Sequence, residues 1–320
     1  MLSTDSTYDS SLENLELAEA CLVRSGASSS VYKCPIKSSD MFVCLKEVYT
    51  SRSSTSKGRK EYNTLKLLHS YHGCPDRIIG LHGFLVNTSA KNMNLNQVLV
   101  LELCEFSLDD MIRGLKSATG SSNSTRSLLS HYELSAIIAS LAVALVFLES
   151  VGIVHNDIKS SNILWKRSTG DGIWKLADFG SARTTPFSNS KKHTGTLSTS
   201  SPELIMGSIS IGFKSDVWSL GCVLWEAIHL VLPFDFNDLH AFQNGYETSS
   251  KFPVSKLIRS PPCKSKSRHV IGKDIMDHML QPVVERRWSA RESFELAMLV
   301  DTFKIDEHLE PCISVRARDI

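Results

Sequence analysis

The 320-residue sequence has almost no excess of either charge. Its 35 basic and 34 acidic residues leave a formal net charge of +1. A protein that binds nucleic acid or an anionic membrane surface through its overall field carries a clear basic excess. The balance therefore predicts neither nucleic acid nor membrane as a partner.

The sequence also lacks an apolar run long enough to cross a bilayer, which takes about 20 residues. The longest run, Ala136–Leu148, has 13 residues including Ser140, and predicts a buried helix. The Ser- and Thr-rich stretch Met1–Ser11 shows no basic region followed by an apolar core, as a secretory signal would. We therefore expect an intracellular protein, in the cytoplasm or the nucleus.

Paired cysteine motifs are missing as well. The eight cysteines stand singly and form no C-x-x-C pair, the spacing that a zinc site would usually show. We interpret them as reduced and mostly buried thiols: Cys21, Cys34, Cys44, Cys74, Cys104, Cys222, Cys263 and Cys312.

What the sequence does contain is a change of periodicity along the chain. Short β-rich runs alternate with turn formers over Glu16–Val48, and Lys60–Tyr71 then has helical spacing. Ile78–Phe84 and Gln97–Leu103 read as strands on either side of a polar loop, Asn87–Asn96. This part of the chain predicts a small β-rich unit with one helix.

Beyond Cys104 the pattern becomes mainly helical. A long helix is predicted from Ser130 to Leu148, and two more over Ser215–Leu230 and Ser289–Phe303. The Ser-, Thr- and Gly-rich segment Ser117–Ser127 predicts a mobile insertion.

The strongest chemical signal is the run His155–Asn162, which reads H-x-D-x-K-x-x-N. In phosphoryl transfer, Asp157 can orient an attacking hydroxyl and Lys159 can steady the moving phosphate. Asn162 can hold a metal ion. The residue types and their spacing therefore suit phosphoryl transfer.

A second signal, Asp178-Phe179-Gly180, follows the predicted strand Ile173–Leu176, and Asp178 can take further metal contacts. The two motifs together resemble the catalytic loop and metal loop of eukaryotic protein kinases. The resemblance implies transfer of the γ-phosphate of ATP to a protein substrate. Asp157 would be the base, and Asn162 and Asp178 would hold Mg²⁺.

Further motifs of the same family occur along the chain. Lys46 ends a predicted strand and Glu61 lies on the next helix, where the family has its strand-three lysine and helix-C glutamate. We therefore expect Lys46 and Glu61 to pair. The end of the family's activation segment is resembled by Gly195-Thr196 with Ser201-Pro202-Glu203. Its helix F is resembled by Asp216–Cys222, and its late R-P-S-A motif by Arg287–Ala290. The resemblance also implies a buried ion pair between Glu203 and Arg287.

The resemblance covers about Glu16 to Phe303 and implies an α+β fold. This is the bilobal kinase fold, with a small β-rich N-lobe containing one helix and a larger, mainly helical C-lobe. The predicted segments are a flexible N-terminus over 1–15, the N-lobe over 16–103, the C-lobe over 104–305 and a C-terminal tail over 306–320.

A nucleotide pocket is implied in the same way. Glu102, Leu103 and Cys104 correspond to the linker whose backbone contacts adenine, with Leu101 as the gatekeeper. Ser107 is either a ribose contact or a helix N-cap, and the N-cap is favoured. The apolar side chains above and below the base would be Val23, Val31, Cys44 and Leu164.

The glycine-rich loop departs from the family pattern G-x-G-x-x-G-x-V. Gly26 alone remains of its three glycines, with Arg24 and Ser29 at the other two positions. Glycine permits positive φ and a close approach of the backbone to phosphate. The sequence therefore predicts a nucleotide-binding loop with weakened affinity.

Asn156 is the second departure, because most phosphorylation-activated kinases have Arg at this position. Arg can bind a phosphate with two charged hydrogen bonds and Asn cannot. We therefore predict that activity does not depend on phosphorylation of the activation loop. The loop residues that could still be modified are Ser188, Ser190, Thr194 and Ser198.

Lys159 and Thr196 favour Ser/Thr specificity, since tyrosine-specific relatives usually carry Ala-Ala-Arg or Arg-Ala-Ala after the catalytic Asp. Two alternatives remain open. One is a pseudokinase scaffold that binds partners with little turnover, favoured by the degraded loop and by Asn156. The other is a dual-specificity kinase.

Overall fold

The structure is a computed structural model that describes residues 13–49, 57–90, 93–119, 129–168, 172–185, 195–205, 212–234, 273–294 and 296–297. The chain forms two compact units that divide between Glu105 and Phe106. The sequence prediction placed the division after Leu103. Three predicted segments lie wholly or mostly outside the described residues: the flexible N-terminus, the Ser117–Ser127 insertion and the C-terminal tail. The possible modification sites Ser188, Ser190 and Thr194 also lie outside them.

The first unit is built on a five-stranded antiparallel sheet with strand order β1-β2-β3-β5-β4. One helix, α1 (Lys57–Ser70), joins β3 to β4 in sequence. This confirms the predicted β-rich unit with one helix. The strands are β1 (Cys21–Ser25), β2 (Ser29–Pro35), β3 (Phe42–Val48), β4 (Leu81–Ala90) and β5 (Met93–Glu102).

The prediction of a polar loop over Asn87–Asn96 is wrong. The strands β4 and β5 extend into it, and Thr88 pairs with Leu95 and Ala90 with Met93. Main-chain hydrogen bonds hold an antiparallel hairpin together whatever the polarity of its side chains. Polar composition alone therefore misplaced the strand ends.

The first unit buries side chains on both faces of its sheet. The helix α1 buries Leu65 and Leu68 completely, and Glu61 lies on the same face with 2% exposure. The spacing i, i+4, i+7 brings these three residues to one helical face. The opposite face of the sheet, to which Val43 and Leu45 point because they alternate with Lys46, packs a second cluster. Its members are Leu15, Cys34, Val43, Leu45, Leu85, Val98 and Val100.

The second unit is mainly helical, as predicted. Its long helices are α2 (Leu108–Thr119), α3 (His131–Ser150) and α5 (Lys214–His229), and α4 (Pro202–Ile205) is a single turn. A three-stranded sheet has the order β6-β8-β9, and a two-stranded sheet pairs β7 with β10. These strands are β6 (Phe106–Ser107), β7 (Ile153–Val154), β8 (Ile163–Lys166), β9 (Ile173–Leu176) and β10 (Arg183–Thr184).

Two helices of this unit begin at serine caps. Ser130 precedes α3, where the Glu133 N–H donates to Ser130 Oγ and the Ser130 N–H donates to Glu133 Oε2, at 3.2 and 2.8 Å. Ser107 precedes α2 and exchanges the same kind of bonds with Asp110, at 3.2 and 3.0 Å. Reciprocal bonds of this kind satisfy two main-chain donors at a helix start. The favoured N-cap interpretation of Ser107 is confirmed.

The helix α3 is longer than the 13-residue apolar run that predicted it. By length and composition alone, Tyr132–Ser150 is the one stretch among the described helices that could cross a membrane. Core helices of soluble proteins have the same properties, and more than half of this stretch is buried within the protein.

The helix α5 is buried along its whole length, from Ser215 to His229. A helix that is covered on every side forms the centre of its unit. It carries Asp216 in its first turn, next to the segment that contains the predicted catalytic residues.

Six cysteines lie within the described residues, and all six are thiols. Cys34 and Cys222 are buried, Cys21 is exposed, and Cys44, Cys74 and Cys104 are half-buried. The predicted thiol state is confirmed for these six, but fewer of them are fully buried than the sequence indicated.

The predicted ion pair between Glu203 and Arg287 is confirmed. Arg287 Nη1 and Nη2 donate to the two carboxylate oxygens of Glu203 at 2.7 and 3.0 Å. Arg287 is 1% exposed, and its other N–H groups reach the main-chain oxygens of Gln281 and Lys214. The pair therefore connects the α4 turn to the described segment 273–294.

Arg287→Met should lower the free energy of unfolding by about 3–5 kcal/mol, because Glu203 would keep a buried charge without its partner. Chemical denaturation followed by circular dichroism measures the change. Arg286 is an exposed neighbour, and Arg286→Met is the matched control. It should change stability by less than about 0.5 kcal/mol. Equal losses in both variants would contradict the assignment.

Candidate active site

In the first unit, Lys46 and Glu61 form the expected pair. Lys46 Nζ lies 2.8 Å from Glu61 Oε1 and 2.9 Å from Oε2. The two side chains are 12% and 3% exposed. A carboxylate that holds the ammonium through both oxygens fixes the position of a positive charge on β3. Such a charge can bind phosphate oxygens.

The sheet register places other predicted nucleotide contacts near this lysine. Val31 on β2 pairs with Lys46, and Cys44 on β3 pairs with Leu101 on β5. Val23 lies at an irregularity of β1 and is 63% exposed. Burial raises the pKa of Cys44 to about 12, so its thiol remains protonated at neutral pH.

Glu102, the first residue of the predicted linker, is held in place by hydrogen bonds of its side chain and its main chain to Gly80. The Gly80 N–H donates to Glu102 Oε1 at 2.5 Å, and the Glu102 N–H donates to the Gly80 oxygen at 3.0 Å. A side chain added at Gly80 would lie 3.0 Å from the Glu102 carboxylate, so glycine suits this close contact. The end of β5 is therefore fixed where the predicted adenine contacts start. Cys104 follows it in the first unit, and Leu164 lies half-buried on β8 of the second unit.

In the second unit, four hydrogen bonds surround the Asp157 carboxylate. Its Oδ1 accepts from the Thr196 N–H at 2.9 Å and from Thr196 Oγ1 at 2.7 Å. Its Oδ2 accepts from Lys159 Nζ at 2.9 Å and from Asn162 Nδ2 at 3.3 Å. A carboxylate has about four acceptor positions, so this one is saturated and its orientation is fixed. The longest of the four bonds is the one to Asn162.

Lys159 connects Asp157 to Thr196. Its Nζ donates to Asp157 Oδ2 and, at 3.0 Å, to Thr196 Oγ1. An ammonium has three N–H groups, and among the described residues two of them are used. The third can donate to a phosphate oxygen.

His155 supports this segment as a neutral imidazole. The Asp157 N–H donates to His155 Nδ1 at 3.3 Å, so Nδ1 is an acceptor, and Nε2 carries the proton towards the Ala177 oxygen at 3.1 Å. Burial lowers the pKa of His155, which agrees with the neutral form. The ring also packs edge-on against Phe179, with 4.7 Å between centroids. His155 is therefore a packing residue rather than an acid or base.

The backbone before Asp157 is held by Asp216 from α5. The His155 N–H and the Asn156 N–H donate to the two Asp216 oxygens at 2.7 and 2.9 Å. Burial raises the pKa of Asp216 to about 7, and these two bonds act against that rise. The contact fixes two consecutive peptide groups immediately before the predicted base.

Asn156 has an unusual backbone conformation, with φ at 65°. Asn tolerates the left-handed region better than most residues do. Its side chain is 5% exposed and is therefore not displayed towards solvent. The position expected to carry a phosphate-binding Arg instead carries a buried amide in a left-handed turn.

The two predicted metal ligands lie in the second unit near the catalytic segment. Asn162 is 6% exposed, and its Nδ2 donates to the Asp157 main-chain oxygen at 2.8 Å. That bond fixes the amide with its oxygen as the remaining ligand atom. Asp178 lies beyond β9 with φ at 66°. Amide and carboxylate oxygens are ligands that Mg²⁺ accepts.

Two residues with clear structural roles were not among the predicted site residues. Thr196 contacts Asp157 through both its N–H and its hydroxyl, and Asp216 holds the backbone before Asp157. The G-T motif before Ser201-Pro202-Glu203 and the position of Asp216 at the start of a helix were the available signals. Both residues lie far from Asp157 in sequence, so spacing alone could not reveal these contacts.

Comparison with known proteins agrees with this geometry. A family model described as the protein kinase domain matches residues 21–298. The chain belongs to the protein kinase domain family. The match spans both structural units, and with the β-rich first unit and helical second unit it establishes the α+β kinase fold.

Relatives with serine/threonine-protein kinase names are similar along much of this kinase chain. Serine/threonine-protein kinase ppk23 of Schizosaccharomyces pombe is 27% identical over 307 residues, covering 89% of this chain and 72% of that protein. Serine/threonine-protein kinase Nek6 of Oryza sativa is 29% identical over 282 residues, covering 88% and 47%. Probable serine/threonine-protein kinase FMP48 of Saccharomyces cerevisiae is 30% identical over 219 residues, covering 63% and 56%. The chain thus spans about half the length of the last two relatives.

Thr196→Val should lower kcat by about tenfold or more, because loss of one hydroxyl removes a charge-assisted bond from Asp157 and an acceptor from Lys159. The rate of phosphate transfer to Ser/Thr peptides measures the effect. Thr196→Ser keeps the hydroxyl and is the matched control, with kcat within about threefold of the wild type. A fall of equal size in the Ser variant would show that the methyl group matters instead.

Proposed function

We propose that this kinase domain transfers the γ-phosphate of ATP to Ser and Thr hydroxyls of protein substrates. The arrangement of Asp157, Lys159 and Thr196 carries the proposal. It combines a fixed carboxylate, a cation beside it and a threonine hydroxyl that joins the two. The names of the relatives that cover most of this chain agree with Ser/Thr specificity.

In the proposed reaction each residue has a separate task. Asp157 orients the substrate hydroxyl and accepts its proton as the oxygen attacks phosphorus. Lys159 donates its third N–H to a phosphate oxygen and balances the charge that develops there. Lys46, held by Glu61, binds phosphate oxygens further from the reacting hydroxyl.

ATP and Mg²⁺ fit the residues that are present. Bound together, they would supply the phosphoryl group and neutralise charge on its oxygens. Asn162 and Asp178 are the residues that would hold Mg²⁺, because each brings a hard oxygen ligand. Val23, Gly26, Val31, Cys44, Glu102, Cys104 and Leu164 are the proposed nucleotide contacts.

The pseudokinase alternative is not favoured. A scaffold that has lost catalysis has no need of the paired Lys46 and Glu61 or of a fully hydrogen-bonded Asp157. The chain keeps all three residues together with both proposed metal ligands. Dual specificity would differ from the main proposal in the phosphoamino acids produced.

Wild-type protein should phosphorylate a degenerate peptide array in the presence of ATP and Mg²⁺, and the products should be phosphoserine and phosphothreonine. Asp157→Asn should reduce kcat by about 10²–10⁴, because the general base is removed. Lys46→Met should reduce transfer by a comparable factor, because the phosphates lose a fixed positive charge.

The matched control for Asp157→Asn is Asp277→Asn, which changes an exposed carboxylate in the same unit. It should retain wild-type activity. Binding of ATP without any transfer by the wild type would support the scaffold instead. Phosphotyrosine among the products would support dual specificity.

Activity should survive removal of phosphate from the purified protein. Asn156 is buried and cannot bind a phosphate with two charged hydrogen bonds, as an Arg would. The measurement compares kcat before and after phosphatase treatment, with a phosphorylation-dependent kinase treated in parallel as the control. Loss of activity that is restored by rephosphorylating the loop would contradict the prediction.

A further inference from the structure

The turn between β1 and β2 does not use the backbone freedom of its remaining glycine. Gly26 is not among the described glycines with positive φ. A Cβ added there would meet the Ser29 oxygen at 3.6 Å, an ordinary contact. The Gly26 N–H donates to that same oxygen at 2.9 Å and closes the turn. The conformational freedom of glycine is therefore not what shapes this turn.

Three hydroxyl groups meet at the base of the turn. Ser30 Oγ lies 2.9 Å from Ser25 Oγ and 2.5 Å from Tyr49 Oη, and Ser25 Oγ lies 3.2 Å from Tyr49 Oη. Ser30 is 3% exposed and is the buried member, whereas Ser25 is exposed and Tyr49 is 40% exposed. We call Ser25, Ser30 and Tyr49 the hydroxyl cluster.

The cluster satisfies all of its own protons. Ser30 donates to Ser25, which uses the single proton of Ser30. Tyr49 must then donate to Ser30, and Ser25 to Tyr49. Each hydroxyl gives one bond and receives one, and closed rings of this kind strengthen their members cooperatively.

Tyr49 also holds the tip of the loop through its main chain. Its N–H donates to the Ser28 oxygen at 2.9 Å. Tyr49 follows β3 directly and lies three residues after Lys46. One residue therefore fixes both the base and the tip of the loop, and fixes them to the strand that carries the phosphate-binding lysine.

We propose that Tyr49 is a positioning residue for the phosphate-covering loop Ser25–Ser30. Its hydroxyl holds the loop in a single conformation, a task that the family's glycine pattern does not perform in this chain. The proposal rests on the proposed function, because it assumes that ATP lies beneath this loop. It assigns Tyr49 to nucleotide affinity and not to the chemical step.

Tyr49→Phe removes one hydroxyl and leaves the ring in place. The KM for ATP and the calorimetric Kd for ATP should rise about threefold to tenfold, the effect of losing one to two hydrogen bonds. The value of kcat should stay within about twofold. Ser30→Ala removes a second hydroxyl of the same hydrogen-bonded ring. The Kd for ATP of the double variant should therefore be little higher than that of either single variant.

A second measurement needs neither nucleotide nor activity. In the ligand-free protein, the Gly26 and Tyr49 amides both donate to main-chain oxygens of the loop, and Tyr49→Phe should make both exchange hydrogen about fivefold faster. Tyr71→Phe is the matched control. Tyr71 lies in the same unit and is 39% exposed, against 40% for Tyr49, and it is not a member of the hydroxyl cluster.

The outcomes separate the two proposals. Faster exchange and weaker ATP binding in Tyr49→Phe, with Tyr71→Phe unchanged, would support the positioning role. Unchanged exchange, or faster exchange with unchanged ATP affinity, would overturn it. A wild type that binds ATP through this loop but transfers no phosphate would refute the proposed function and leave the role of Tyr49 standing. A wild type that binds no ATP would refute both.

Discussion

The buried carboxylate of Asp216 is the contact on which the catalytic segment depends. It accepts the N–H groups of His155 and Asn156, and a buried N–H without an acceptor would cost about 1–3 kcal/mol. The backbone immediately before Asp157 is therefore set by a helix that is itself buried on every side. Thr196 and Lys159 then orient the Asp157 side chain, so a rigid core is connected to the proposed base through successive hydrogen bonds.

Two ion pairs stabilise this protein in different ways. Glu203 and Arg287 are both almost fully buried and connect parts of the second unit that are far apart in sequence. Lys46 and Glu61 are also shielded, but Lys46 keeps 12% of its side chain accessible. The Arg287 cation is fully buried and serves packing, whereas the partly accessible Lys46 cation can bind an anion.

Much of the fold and many of the site residues could be predicted from local patterns. The i, i+4, i+7 spacing of Glu61, Leu65 and Leu68 placed the glutamate on the inner face of α1, where it meets Lys46. The ends of β4 and β5 could not be predicted from composition, because strand pairing depends on main-chain bonds and not on the polarity of Asn87–Asn96.

The sequence by itself determined the family, the order of helices and strands, and the residue types able to transfer phosphate, because these depend on short motifs and on local periodicity. The tertiary structure alone decided which distant groups meet. Asp216 reaches the backbone at Asn156, and Thr196 reaches Asp157, across 60 and 39 positions of the chain. Tyr49 likewise meets Ser25 and Ser30 only because antiparallel strands bring them together. Hydrogen bonds need atoms about 3 Å apart, and folding alone creates that proximity between distant residues.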